Sequence, residues 1–216
     1  MSMSREMILE RLKSATWTQP SPSRTVITTE KGAVAGEVQD FVSKATAAGA
    51  QVEEVSSLAE VQTRLMEILK EEQLQKVIIN NDETVNQIDW QQLSAETTAE
   101  VKSTAQLSGN YRSYVVEADL GVTGCTYALA ETGTVVLEHS NDNERLVSHA
   151  PNYYICIVKK DQILKDRYVL AEIISSSPTT PTAWTLVTGV SRTADVALQV
   201  VLGMHGPRKV TIFVVA

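Results

Sequence analysis

The sequence predicts an α/β fold, a mostly parallel sheet with helices on both faces. Two observations carry that expectation. Short uninterrupted runs of apolar and β-branched residues recur at 77–79, 134–137, 155–158 and 212–215, as expected of strands covered on both sides. Between them lie stretches whose apolar residues fall at helical spacing, and repeated alternation of the two patterns argues for crossover connections around one sheet. The 216 residues suffice for one sizeable core and leave a second full domain cramped. Aromatics make up only 5% of the chain, so that core must be built from Val, Ile, Leu and Ala.

Taken in order, residues 4–15 predict a short amphipathic helix with Ile8, Leu9 and Leu12 on one side. The prolines at 20 and 22 make an extended Pro/Ser linker, because proline disfavours helix in the residue before it. Residues 1–22 are therefore a helix and linker, and residues 23–216 the domain proper. Residues 25–29 read as a β-rich segment. Val38, Phe41, Val42, Ala45 and Ala48 line one face of a helix that Gly49 stops. Residues 52–55 form a brief strand. Ser57 and Glu60 have the spacing of a capping box, ahead of a helix whose inner face is Leu58, Val61, Leu65, Ile68 and Leu69. Residues 82–114 are polar, with Ile88, Trp90 and Leu93 as anchors, and read as a surface excursion with some helix. A weaker strand falls at Leu186 and Val187. Helices are expected at 143–149, 161–172 and 192–202.

The net charge of −7 gives no general attraction to phosphate backbones or anionic lipid, so nucleic-acid and membrane partners are not expected. The N-terminus lacks an apolar signal core and no apolar run reaches the length of a membrane span, which predicts a cytoplasmic protein. Cys125 and Cys156 are far apart and outside any CxxC pair. They read as reduced, packed thiols, too few for an iron–sulfur cluster or structural zinc in this chain. No metal site is expected.

Three glycine-bearing polar segments are the candidates for chemistry, expected at strand ends where open α/β sheets hold ligands. The first is GVTGCTYALAETGT, residues 121–134, in which Glu131 sits in a turn and Thr132, Gly133 and Thr134 offer backbone N–H groups. A plain hairpin turn reads equally from the same residues. The second is Ser191, Arg192, Thr193, Ala194 and Asp195. Ser191 there is an N-cap and Arg192 a bidentate grip for carboxylate or phosphate, or the group is an ordinary capped helix with a local salt bridge. The third is GMHGPR, residues 203–208, where His205 stands between glycines beside Gly206 and Arg208 and titrates near neutrality. None of these is a nucleophile triad, a zinc-binding HExxH, a Walker loop or a dinucleotide fingerprint.

Taken together, GVTGCTYALAETGT, SRTAD and GMHGPR ahead of a final apolar strand resemble the LUD domain family, lactate utilization protein C type. The resemblance covers residues 110–216 well and the first half only by strand–helix order. It implies a Rossmann-like, NagB/RpiA/CoA transferase-like fold. It also implies a subunit acting with two iron–sulfur partner proteins in oxidation of L-lactate to pyruvate, itself without a cluster and binding a small anionic metabolite. Its cofactor is left unknown. Under this reading Glu131 and His205 move protons, and Thr132, Gly133, Thr134, Ser191, Arg192, Thr193, Asp195, Gly206 and Arg208 hold the ligand. Two other classes fit the same residues. One is a stand-alone CoA-transferase-like or other small-molecule enzyme with Glu131 as nucleophile, and the other is a non-catalytic scaffold or regulatory subunit. The chain departs from the family pattern at Val190, where proline is usual, at Ala197, where an acid is common, and at Tyr154, where many members carry histidine.

Overall fold

A computed structural model describes residues 5–14, 35–107, 111–139, 144–178, 181–193 and 201–216. The chain divides between Glu30 and Lys31 into two units. The described part of the first is α1 (Arg5–Ser14), close to the helix expected there. The segment expected as a strand at 25–29, the Pro/Ser linker and Asp195 lie outside the described residues.

The second unit starts with α2 (Val38–Ala47), which buries Phe41 and Ala45 as its spacing requires. Gly49 follows at φ 91°, the left-handed cap expected of it. Then come β1 (Gln51–Val55), α3 (Leu58–Glu71) and β2 (Lys76–Ile79). Ser57 caps α3 by accepting from the Glu60 amide at 3.3 Å. The Glu60 carboxylate reaches past the cap residue to the amide and hydroxyl of Ser56, both at 2.8 Å, so the capping box closes one residue early.

The presumed excursion is not merely surface. It carries α4 (Trp90–Thr97), β3 (Glu100–Ser103) and α5 (Tyr111–Glu117), and it buries Ile88 and Leu93. Next are β4 (Leu120–Gly124), β5 (Tyr127–Leu129), β6 (Thr134–His139) and β7 (Tyr153–Lys159). After these come β8 (Ile163–Leu164), α6 (Arg167–Ser176), β9 (Ala183–Val187), β10 (Arg192–Thr193), β11 (Val201–Leu202) and β12 (Lys209–Val215).

The main sheet is fully parallel in the order β1-β12-β7-β4-β2-β3. Along β12, Val210, Ile212 and Val214 face one side, while Phe213 and Val215 face the other, the period of two that a strand imposes. On one face α3 and α4 bring Val61, Leu65, Leu69 and Leu93 against Val77, Leu120, Ile155 and Phe213. On the other, α2 packs with Tyr154, Cys156 and Ile212, and α5 covers Ile78 through Val115.

Four expectations are corrected. The run 134–137 and the strand at Leu186 and Val187 belong to a second sheet, β8-β5-β6-β9, in which β6 is antiparallel to both neighbours. Its position between two apolar layers, α6 outside and α2 inside, is why β6 reads as a parallel strand. The helix expected at 192–202 is replaced at both described ends by a short antiparallel ribbon, β10 with β11. At 143–149 there is one 3-10 turn (Arg145–Ser148), and the helix expected at 161–172 begins later, at Arg167, with Asp166 as its cap.

Gly133 fixes how the second sheet meets α2. It holds φ 65°, and a side chain there would place its Cβ 2.1 Å from the Ala45 nitrogen. Gly133→Ala combines backbone strain with overpacking and is expected to cost about 3 kcal/mol of folding stability in urea denaturation.

Candidate functional site

The crossovers define where a ligand crevice opens. From β2 the chain moves outward to β3, whereas from β4 it moves the opposite way to β7 and β12. The connections therefore diverge between β2 and β4, and a crevice opens at the carboxyl ends of those strands. It is lined by Asn80 and Asp82 after β2, by Cys125 and Thr126 after β4, by Lys159 at the end of β7 and by Gln162 in the turn that follows.

These residues are held tightly. Asp82 accepts from the Gly124 amide at 2.8 Å through Oδ2 and from the Val85 amide at 2.9 Å through Oδ1. Gly124 permits that approach, since a Cβ there would lie 2.7 Å from the carboxylate. Gln162 donates to the Cys125 carbonyl at 2.7 Å and accepts from the Lys159 amide at 2.8 Å, binding the ends of β4 and β7 together. Asn80 is 4% exposed and its side-chain oxygen accepts from the Glu144 amide at 3.3 Å. A cavity of about 280 Å³ results, lined among others by Asn80, Asp82, Thr126, Glu138, Lys159 and Gln162. That volume suits a metabolite of a few heavy atoms.

The electrostatics single out two groups. Burial pushes the Asp82 carboxyl above its ordinary range, against the opposing pull of the Val85, Gly124 and Thr84 amides and of the Lys159 charge. Lys159 is half-buried and makes no salt bridge among the described residues. Half-exposed Cys125 has its thiol held well above the usual range by its hydrogen bond with the Cys156 thiol and by burial. Both conditions disfavour the thiolate, the form that attacks or binds metal. Among the described residues no three His, Cys, Asp or Glu side chains cluster as metal ligands. Tyr154, where many family members have histidine, is wholly buried and shares a 2.7 Å hydrogen bond with Thr123. It lies inside the core, not in the cleft lining.

The three glycine-bearing segments do meet, but at the opposite edge of the sheet. The Thr132 and Thr134 hydroxyls lie 2.6 Å apart, and Thr134 contacts Thr188 at 2.7 Å. Gly189 (φ 67°) packs on Ala48, and Arg192 donates to the Ala48 carbonyl just ahead of β1. The Ser191 amide donates to the Pro207 carbonyl at 3.0 Å, and Gly203 donates back to Ser191 at 2.9 Å. The Arg208 amide bonds Asn152 at 2.8 Å, immediately before β12 and β7 begin. This junction therefore sits at the amino ends of the strands.

Ser191 opens a strand, so it caps no helix there, and Thr193 pairs with Val201 in that ribbon. A Cβ at Gly206 would lie 3.2 Å from the Ser191 Cβ, and His205 is exposed on the same loop. Glu131 turns away from this junction to Arg167, with the ion pair at 2.6 Å. The cleft lining includes none of the residues singled out from the sequence except through the loop that follows Gly124. The missed signal was positional: polar residues stand directly after three apolar strands.

Comparison with known proteins agrees with this architecture. The family model described as LUD domain matches residues 38–215. "Lactate utilization protein C" of Deinococcus radiodurans is 38% identical over 99 residues, covering 45% of this chain and 47% of the relative. The same-named protein of Bacillus subtilis is 38% identical over 104 residues, covering 46% of this chain and 43% of the relative. That of Anoxybacillus flavithermus is 28% identical over a longer stretch, 73% of this chain and 70% of the relative. The aligned part thus spans about half the length of the first two. In fold, the chain is similar to the crystal structure of a DUF162 family protein from Deinococcus radiodurans. The TM-score is 0.60 at 24% identity, covering 82% of this chain and 95% of the other. A parallel sheet flanked by helices and a family match over nearly the whole second unit lead to one conclusion: the chain belongs to the LUD domain family.

Proposed function

We propose that this chain is a component of a lactate-utilization system and that its carboxyl-edge cleft binds a small carboxylate of the size of lactate or pyruvate. The observation that carries the reading is Lys159, a half-buried cation on the cleft wall with no ion-pair partner among the described residues. An ammonium in such a place is stabilised by an arriving carboxylate more than a fully solvated one would be. The names of the relatives supply the choice among small carboxylates.

Oxidation of a 2-hydroxy acid to the 2-oxo acid removes two electrons and two protons. Asp82, raised by burial and lining the same cavity, is placed to take the hydroxyl proton. In this reading the two electrons leave one at a time to two partner iron–sulfur proteins, the carbon-bound hydrogen leaves as a proton to water in the open cleft, and the amino-edge junction of residues 132–134, 191–193 and 206–208 is framework. Glu131, engaged by Arg167, is left out of the proton path, and so is His205 on the far edge.

Calorimetry of the full chain with lactate and with pyruvate tests the site. Lys159→Met is expected to weaken binding about tenfold or more, the order expected for losing one partly desolvated ion pair. Equal affinity in the variant overturns the assignment. Binding also responds to pH. A bound anion beside Asp82 favours its protonated form, so affinity should rise as pH falls towards the raised carboxyl value, and this dependence should vanish in Asp82→Asn.

Folding stability supplies an independent reading of Asp82. Its folded value lies above its unfolded one, so ionising it costs stability. The cost is absent below the ordinary Asp value of about 4, grows as pH rises from there through the folded value, and is then constant. Urea titrations across that window should show wild type losing stability relative to Asp82→Asn as pH rises. A difference independent of pH would contradict it.

A further inference from the structure

A second cavity, of about 770 Å³, opens at the carboxyl ends of β2 and β3, on the far side of the 3-10 turn Val85–Gln87 from the cleft. Ile79, the last residue of β2, and Ile88 are both nearly buried and give it aliphatic walls, with Val101 of β3 beside them. Trp90 lines the cavity as well. Its indole N–H is committed to the Val85 carbonyl at 2.8 Å, so what remains to a ligand is its ring surface. Among the described residues no lysine or arginine lines the space, and the one charged residue that does, Asp89, already accepts from the Gln92 amide at 2.9 Å.

The polar groups along the rim are neutral. Asn86 donates its amide to Asn81 at 2.8 Å, which leaves its oxygen to accept. The Gln91 side chain makes no hydrogen bond among the described residues, so its amide is free both to donate and to accept. A phosphate or carboxylate finds no cation here and meets Asp89, whereas a flat uncharged ring finds aliphatic walls, an indole and an amide rim.

We propose that this cavity binds an uncharged, planar heteroaromatic ring with a mixed donor–acceptor edge, of the lactam or carboxamide kind. The inference stands apart from the anion reading of the neighbouring cleft, because it uses none of that cleft's lining. The two spaces are nonetheless joined through Val85, whose N–H holds Asp82 and whose carbonyl holds Trp90.

The test uses the full chain carrying Trp17→Phe and Trp184→Phe, which leaves Trp90 as its only tryptophan. Nicotinamide, adenosine and riboflavin are titrated by indole emission and, against inner-filter artefacts, by equilibrium dialysis, with riboflavin 5′-phosphate as the anionic control. At least one neutral ring should saturate with a dissociation constant below about 1 mM. If that ring is riboflavin, the phosphate should bind no more tightly. Ala95→Phe, which fills the cavity from an exposed position on α4, should weaken binding about tenfold or more. Gln91→Ala should weaken it about threefold and needs no repacking. Lys159→Met should leave ring binding unchanged, so failure of the anion reading is distinguishable from failure here. Saturation by none of the three rings, or wild-type affinity in both cavity variants, overturns the proposal.

Discussion

The carboxylate of Asp82 tying the carboxyl end of β2 to that of β4 is the contact on which the rest of this architecture turns. Each of its oxygens accepts one backbone N–H, from Val85 and from Gly124. Charge-assisted bonds of this kind contribute about 1.5–3 kcal/mol each when they replace water. Burial nonetheless raises the group, which means that desolvation outweighs both bonds and the Lys159 field together. The clamp is thus a poor way to gain stability. A carboxamide offers one acceptor oxygen to these two N–H donors and an apolar side chain offers none, so the gap calls for a carboxylate, and a carboxyl raised by burial at a strand-end crevice is what a proton-handling role would require.

Glycines divide the labour between the two edges of the sheet. At the amino edge, Gly133, Gly189 and Gly203 all hold positive φ and let loops press onto α2, onto Ala48 and onto Arg208. That edge is closed by backbone contact, and Arg192, whose side chain would suit an anion, is engaged by a carbonyl. At the carboxyl edge, Gly124 admits the carboxylate of Asp82. The same residue type seals one end of the molecule and shapes an opening at the other, and only the neighbouring atoms tell the two uses apart.

This explains what the sequence could and could not disclose. The helix built on Val38, Phe41 and Ala45, the capped helix after Ser57, and the strands at 77–79, 155–158 and 212–215 were legible, because each has an apolar period that tertiary packing merely completes. β4 was not legible as a central strand. Gly121 and Gly124 interrupt its apolar run, yet Gly121 is there because the Val147 carbonyl would lie 2.0 Å from any Cβ. The second sheet was misassigned because β6, buried on both faces, has the pattern of a parallel strand without the topology of one. The cleft was missed for a different reason. Asn80, Asp82, Lys159 and Gln162 form no motif along the chain, and become a group only when β2, β4 and β7 lie side by side.

The hairpin between β4 and β7 is what gives the strand-end crevice its further wall. In a simple doubly wound sheet a helix would connect those strands and leave their carboxyl ends open. Here the chain leaves β4 at Gly124 and turns at Cys125, and the Thr126 amide immediately bonds the Val136 carbonyl to start the antiparallel pair. That geometry brings Leu137 and Glu138 of β6 over the end of β4, where they form the wall facing Asp82. Gln162 then ties the following turn to the Cys125 carbonyl, fixing Lys159 opposite. The hairpin is anchored at its far end by Gly133 against α2. The amino-edge glycine and the carboxyl-edge cavity are therefore two ends of one lever, and disturbing the first should be felt as a looser wall at the second.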